Sequence, residues 1–169
     1  MTDLIKKLWD KNAGVKQDQG FPEGRKIPTR LTACTSETPD SSKPEEIRVT
    51  LKFVTIDGSD KDGNTITAGR RGQRSYDLFD RKWESKKTGK SGVISGEEQL
   101  VNLMKDFATL GFDTEDYSFE EIKDAINDED DSVFLYVNSK TSDSGYTNVY
   151  VSYLIPPNEL PSDEEEEEE

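Results

Sequence analysis

Hydrophobic residues alternate with other residues in five short runs of the chain. A period of two is the pattern of a strand that buries one face. In the first run Ile27, Thr29, Leu31 and Ala33 share the face that we expect to be buried. The five runs predict strands at 27–33, 46–56, 75–80, 133–137 and 146–153.

The same alternation assigns the other strand residues to an inner or an outer face. The inner set comprises Ile47, Val49, Leu51, Phe53, Tyr76, Leu78, Val133, Leu135, Val137, Val149, Val151 and Tyr153. The outer set comprises Arg48, Thr50, Lys52, Asp77, Phe79, Phe134, Tyr136, Tyr146, Asn148 and Tyr150. The outward aromatic residues are candidates for base stacking, although outward aromatic rings more often lie under a helix or a terminal arm.

Three segments have helical spacing instead. A capping box of Ser95 and Glu98 opens a helix that ends at Gly111, and a second box, Ser118 with Glu121, opens a shorter one. The stripe of the first comprises Leu100, Leu103, Met104, Phe107 and Leu110; that of the second comprises Phe119, Ile122, Ala125 and Ile126. The segment 2–11 forms a third amphipathic helix, too short to be stable alone, and we expect it to dock on the body or, less favourably, to fold on a partner.

The order of these elements is three strands, two helices and two strands. Five short strands with a helix between the third and the fourth is the order of an OB-fold, a five-stranded Greek-key barrel. The sequence therefore predicts a mainly β protein with an N-terminal arm at 1–24, an OB-fold domain at 25–157 and a disordered acidic tail at 158–169. An OB-fold binds oligonucleotides across strands 2 and 3 and the loops beside them.

Composition narrows the chemistry. The 169 residues include 36 acidic and 22 basic side chains, a net charge of −14, with one cysteine and no histidine. No intramolecular disulfide can form, no metal or cofactor site is indicated, and the commonest general base is missing, so we expect a non-enzymatic protein. Neither a membrane-spanning run nor a signal-peptide core is present, which predicts a soluble, cytoplasmic protein.

One stretch opposes this acidity. Residues 70–90 contain eight basic and three acidic side chains, a local charge of +5, with aromatic rings between them. Bases neutralise phosphates and rings stack on unpaired bases, so the stretch predicts binding to single-stranded nucleic acid; a solvated hairpin is the alternative. With the outward bases of strand 2, the candidate nucleic-acid-binding residues are Arg48, Lys52, Arg70, Arg71, Arg74, Tyr76, Phe79, Arg81, Lys82, Trp83, Lys86, Lys87 and Lys90.

The body also resembles a known family. The runs that carry the resemblance are IPTRLTA, EIRVTLKFVTIDG, SYDLFD, the capped helix ending LGF, and GYTNVYVSYLIPP, within residues 25–157. They are similar to OB-fold single-stranded-DNA-binding proteins of bacteriophages, which are encoded beside replication and recombination genes. The resemblance implies a protein of DNA replication, recombination or repair in the host cytoplasm, which coats single strands with little sequence preference.

The terminal run of acids is similar in kind to the tails of bacterial and phage single-strand-binding proteins. We expect it to compete with DNA for the basic side chains and to recruit replication or recombination proteins, although it lacks the terminal aromatic residue or Pro-Phe of many such tails. The tail comprises Asp163, Glu164, Glu165, Glu166, Glu167, Glu168 and Glu169. The alternative function is an acidic protein-interaction module, either a DNA mimic or a replication adaptor. The sequence leaves homo-oligomerisation and the choice between DNA and RNA open.

Overall fold

The structure is a computed structural model that describes residues 2–12, 20–128, 132–142, 145 and 147–160. It is mainly β, as predicted. The strands are β1 (Gly24–Glu37), β2 (Arg48–Thr55), β3 (Gly58–Ser59), β4 (Thr65–Ile66), β5 (Arg71–Asp77), β6 (Arg81–Glu84), β7 (Ser91–Ile94), β8 (Val133–Thr141) and β9 (Thr147–Leu154). The helices are α1 (Thr2–Asn12), α2 (Gly96–Thr109), α3 (Phe119–Asn127) and a short 3-10 helix (Pro157–Glu159).

Five of the strands form one curled antiparallel sheet, a half-barrel in the order β5-β2-β1-β8-β9. The long strand β1 lies at its centre and pairs with β2 on one side and β8 on the other. The edge strands β5 and β9 approach each other as the sheet curls, and the Arg74 guanidinium donates to the Val149 carbonyl at 3.4 Å. No ladder of backbone hydrogen bonds joins these two edges within the described residues. We call this gap the seam.

The concave side of the sheet holds the core. Val49, Leu51 and Phe53 of β2 are buried, which confirms their predicted face. The helix α2 packs against β5 and β9 and adds the buried side chains of Leu103 and Phe107 to the same core. Truncating a ring as deeply buried as Phe107 to alanine costs ~3–5 kcal/mol in comparable cores.

The shorter helix α3 is fastened to β1 by a side-chain amide. The Asn127 carbonyl accepts from the Cys34 backbone N–H at 2.9 Å, and its amide donates to the Cys34 carbonyl at 2.9 Å. The thiol of Cys34 lies beneath this contact, and burial raises its pKa to about 11. The predicted capping box of α3 is present, because Ser118 and Glu121 each accept from the other's backbone N–H. At α2, the Ser95 side chain accepts from the Glu98 backbone N–H, as predicted.

Two β-bulges overturn predicted faces. The register of β1 against β2 shifts between Leu31 and Ala33, so Cys34 is buried and Ala33 is not. The register of β8 against β9 shifts between Tyr136 and Val137, and Tyr153 stands beside Tyr136, 43% exposed. An extra residue in one strand inverts the alternation beyond it, and no hydrophobic pattern marks where it is inserted.

The third strand begins and ends earlier in the chain than its sequence pattern predicts. It is observed at Arg71–Asp77, so Leu78 and Phe79 follow it, while Ile47 precedes β2 and is 40% exposed. The cause is the pairing of β2 with β5, in which Arg48 lies opposite Asp77 and Val54 opposite Arg71. The sequence pattern missed the strand's first four residues because they are arginine, glycine and glutamine, with no alternating apolar side chain.

The helical predictions need two corrections. Leu100 and Met104 of α2 are 41% and 40% exposed, so the buried stripe is narrower than predicted. The apolar residues of α1 are not buried as firm docking would require: Leu4, Ile5, Leu8 and Trp9 are each more than half exposed. None of the described helices is long and apolar enough to cross a bilayer.

Candidate nucleic-acid interface

The outer face of the half-barrel carries a line of basic residues across its strands. Arg30 of β1, Val54 of β2 and Arg71 of β5 lie opposite one another, with Lys52 and Gln73 one rung further along. Together they line a cleft of about 640 Å³ with no acidic side chain in its walls. We call it the sheet cleft. Cross-strand neighbours lie ~5 Å apart, so a phosphate chain crossing the strands meets one cation after another.

A second cleft, of about 450 Å³, opens along the seam between β5 and β9. We call it the seam cleft. Three arginines from three segments line it, with Asn148 and Ser75 as polar neighbours and Asp77 as its only acid among the described residues. Gln73 lines both clefts, so the two are adjacent. The arginines are Arg48, Arg74 and Arg81.

Asp77 holds two of these arginines in place. Its carboxylate oxygens accept from Arg48 Nε and Arg81 Nη1, both at 2.5 Å. Burial alone would raise the pKa of Asp77, but the hydrogen bonds from the two guanidinium groups outweigh it, and the pKa lies below its ordinary value. The pair of arginines carries one more charge than the carboxylate neutralises, so the cluster stays cationic.

Arg74 is fixed by rings and by a second carboxylate. Its guanidinium carbon lies 4.9 Å from the ring centroids of Tyr76 and Tyr150, and its Nε lies 3.4 Å from Asp106 Oδ2. The Tyr76 hydroxyl donates to Asp106 as well. Burial raises the pKa of Asp106 and of Tyr76, although the Arg74 charge opposes both shifts. The arrangement fixes the direction of Arg74 across the seam.

This contact corrects the assignment of Tyr76 to base stacking. Its ring has no exposed surface and belongs to the core. Phe79, the other aromatic candidate of this strand, lies in the bend after β5 and is half-buried. There the Asp80 carboxylate accepts from the Gly96 backbone N–H at 2.9 Å, which fixes the bend to the start of α2.

The basic stretch 70–90 is divided between two structures, although its charges form a single run in the sequence. Its first residues form β5 and belong to the main sheet, and only β6 and β7 form a separate hairpin. The Trp83 indole lies over Gly92 of the facing strand, where an added Cβ would stand 2.8 Å from Trp83 Nε1. Trp83 is 45% exposed and shares its face with Arg81. The hairpin's lysines are exposed: Lys82, Lys86, Lys87 and Lys90.

Two further basic residues mark the start of β5. Arg71 is exposed in the sheet cleft. The half-buried Arg70 donates from Nε to the Gly20 carbonyl at 2.7 Å, which attaches the segment before β1 to the sheet. Phe21 continues this contact: it is buried over Gly72, where any Cβ would lie 2.5 Å from its ring.

Sequence reasoning missed Arg30. The alternation of the first strand already placed it outward, but its chain neighbours are uncharged, so it stood in no basic cluster. The structure puts it opposite Val54 on one side and Phe134 on the other. Phe134, one of the predicted outward aromatic residues, is half-buried. It lies on β8 beside Arg30, at the end of the line of basic residues. The acidic tail, residues 163–169, and Tyr146 lie outside the described residues.

Comparisons with protein-family models, curated proteins and solved structures found no significant match to this chain.

Proposed function

We propose that this chain is a single-stranded-DNA-binding protein that coats unpaired strands without enzymatic activity. The observation that carries the proposal is the pair of adjacent clefts, whose described walls hold six basic side chains and one acid in a chain of net charge −14. Such segregation of charge gives an acidic protein a local site for phosphates. The six are Arg30, Lys52, Arg71, Arg48, Arg74 and Arg81.

The arrangement of the strands also supports the proposal, because it is compatible with an OB-fold. The first strand lies at the centre of the curled sheet, the two helices come between the third and fourth of its strands, and the edges β5 and β9 meet at the seam. A five-stranded, partly open barrel of this kind binds oligonucleotides across its second and third strands. Those strands are β2 and β5, and they line both clefts.

In this proposal phosphates lie along the sheet and seam clefts while bases stack on exposed rings. Trp83 is the best-placed ring, because it shares a hairpin face with Arg81 and is half exposed. A stacked base contributes ~1–3 kcal/mol, whatever its identity, so sequence preference is weak. The acidic residues 163–169 would compete with phosphates for the clefts and, when displaced, recruit other proteins of phage-type replication or recombination in the host cytoplasm.

The deciding experiment is a titration of the full-length chain with single-stranded and duplex DNA of matched length at several salt concentrations. We expect tighter binding to the single strand and a logarithmic salt slope of about −0.7 for each neutralised phosphate. Equal or tighter binding to the duplex at matched salt would contradict the proposal. Removal of residues 162–169 should tighten binding, most at low salt. An equal acidic run added at the N-terminus of the shortened chain should not reverse that gain.

An acidic interaction module is the second candidate, and the charge on the helical side favours it. The loop before α3 and its first turns expose six acids, all on the side that carries the helices: Asp113, Glu115, Asp116, Glu120, Glu121 and Asp124. A basic partner would be attracted to this surface. The same titration separates the two functions, because a DNA mimic or a replication adaptor that acts through its acids would show no salt-dependent binding to single strands.

A further inference from the structure

A cluster of two tyrosines and a lysine lies at the far end of the sheet from the hairpin. Lys26 Nζ stands 5.0 Å from the centroid of the Tyr136 ring, and the Tyr153 ring packs against Tyr136 with centroids 5.1 Å apart. The β-bulge in β9 brings Tyr153 to this position, where 43% of it is exposed. The Lys26 backbone adopts φ of 56°, an uncommon value for a residue other than glycine.

One carboxylate covers the cluster. Glu159 Oε1 lies 3.4 Å from Lys26 Nζ and accepts from the Tyr136 hydroxyl at 3.2 Å. Tyr136, an outward aromatic by sequence, is therefore only 6% exposed. Glu159 thus occupies the position in which a phosphate oxygen would meet the same ammonium and hydroxyl groups.

The segment that carries Glu159 is anchored at its start. Ile155 is buried and its backbone N–H donates to the Phe134 carbonyl at 3.0 Å, which anchors the segment to β8. Beyond it, Pro156 and the three-residue 3-10 helix bear Glu159. Both partners of the ion pair are more than a third exposed, so the contact is weak enough to exchange.

The cluster continues the basic line of the sheet. Tyr136 lies opposite Pro28, and Phe134, two residues earlier on the same face, lies opposite Arg30 of the sheet cleft. A cleft of about 470 Å³ adjoins the cluster, and its walls hold Lys26 and Lys61 together with three acids, Asp57, Asp60 and Glu159. A strand leaving the sheet cleft past Arg30 and Phe134 therefore arrives at the Lys26 ammonium and the tyrosine rings.

We propose that Lys26, Tyr136 and Tyr153 form a further subsite for one nucleotide, which Glu159 occupies until a phosphate displaces it. The nucleotide's phosphate pairs with Lys26 and its base stacks on the half-exposed Tyr153. The proposal rests on the proposed function, because it extends the path of the same single strand. It adds a terminal subsite to that path and identifies Glu159 as the residue that occupies this subsite before DNA binds.

The test is the Glu159→Gln variant, titrated with oligothymidylates of increasing length, from about 4 to 16 nucleotides, the range that OB-folds accommodate. Glutamine keeps the side chain's size and can still accept from Tyr136, but it no longer competes for Lys26. We expect affinity to rise two- to fivefold for the longer oligonucleotides only. Lys26→Ala should abolish this gain and lower the salt slope for the longer oligonucleotides by about 0.7, the contribution of one phosphate.

Glu97→Gln is the matched control, since it removes the same charge from the exposed start of α2. A gain of equal size in Glu97→Gln, a gain independent of length, or no gain in Glu159→Gln would each overturn the subsite. These outcomes leave the proposed function standing as long as the wild-type chain binds single strands. If the wild type binds no oligonucleotide at any length, the proposed function itself has failed.

Discussion

The sheet cleft and the hairpin are both basic and both lie on the predicted binding side, yet they are built differently. The cations of the sheet cleft come from β1, β2 and β5, which are neighbours in the main sheet in the order β5-β2-β1. The hairpin's lysines are consecutive or nearly so in sequence, and β6 and β7 pair only with each other. In the sheet cleft, folding brings together cations that are far apart in the sequence. In the hairpin, the cations are already neighbours in the sequence.

The difference determines how well each region can bind. A cation on a central strand has its backbone fixed on both sides, so little conformational entropy is lost when a phosphate arrives. An exposed lysine at a hairpin tip must be ordered by the ligand, which removes part of the gain. We therefore expect the sheet cleft to supply most of the affinity and the hairpin to supply stacking.

The largest effect should follow from removing the sheet cleft's cations. The triple variant Arg30→Ala, Lys52→Ala, Arg71→Ala should weaken single-strand binding about 100-fold at low salt, from ~1 kcal/mol for each lost contact. Its salt slope should fall by about 2, at about 0.7 for each cation.

The hairpin offers a control with the same change in net charge. Lys86→Ala, Lys87→Ala, Lys90→Ala should weaken binding less than about fivefold. A tip triple that costs as much as the cleft triple would show that net charge alone, not its arrangement, sets the affinity. Fluorescence titration at two salt concentrations measures both.

Next in size is the effect of Asp77→Ala, which removes the carboxylate that joins Arg48 of the sheet to Arg81 of the hairpin. We expect the free energy of unfolding to fall by ~1–3 kcal/mol, because two partly buried hydrogen bonds between charged groups are lost. Urea denaturation measures it, and Asp62→Ala, at an exposed turn, should change it little. No loss in Asp77→Ala would mean that the hairpin's attachment lies elsewhere.

Trp83→Ala should weaken single-strand binding about tenfold and leave the salt slope unchanged, because stacking releases no counterions. Stability should hardly change, since the ring is 45% exposed. Val93→Ala, on the other face of the hairpin and 58% exposed, is the control and should bind as the wild type does. Unfolding of the Trp83 variant would assign the ring to the core instead.

The smallest effect concerns acid. The pKa of Asp77 is depressed in the folded protein, so its stabilisation is complete above the ordinary pKa of ~3.9 and is lost as pH falls through the depressed value. The raised pKa of Asp106 has the opposite sign: protonation favours the folded state, and stability declines as pH rises through that range. Asp77→Asn should therefore flatten the acid limb of a pH–stability profile, and an unchanged limb would contradict the assignment.

Much of the fold could be predicted from the sequence. Both helix caps, the inner face of β2 and the five main strands follow from local patterns, and local patterns are what a single sequence displays. Errors fall at Ala33 and Tyr153, where a bulge reverses the faces. For Tyr76 the alternation correctly predicts the inner face, and its assignment to base stacking is the error. Arg30 was missed for a related reason, because its partners in the sheet cleft lie more than twenty residues away in the chain.

The seam also bears on how the protein behaves when it is concentrated. An unpaired strand edge is a template on which another chain can add a strand, and edges are commonly protected by a charge pointing into the gap. Arg74 is such a charge: a foreign strand entering between β5 and β9 would have to bury its guanidinium. Replacement by leucine would remove that cost, so light scattering of Arg74→Leu at high protein concentration should rise where the wild type stays clear. The residue that bridges the half-barrel is thus also the one that keeps its sheet from growing.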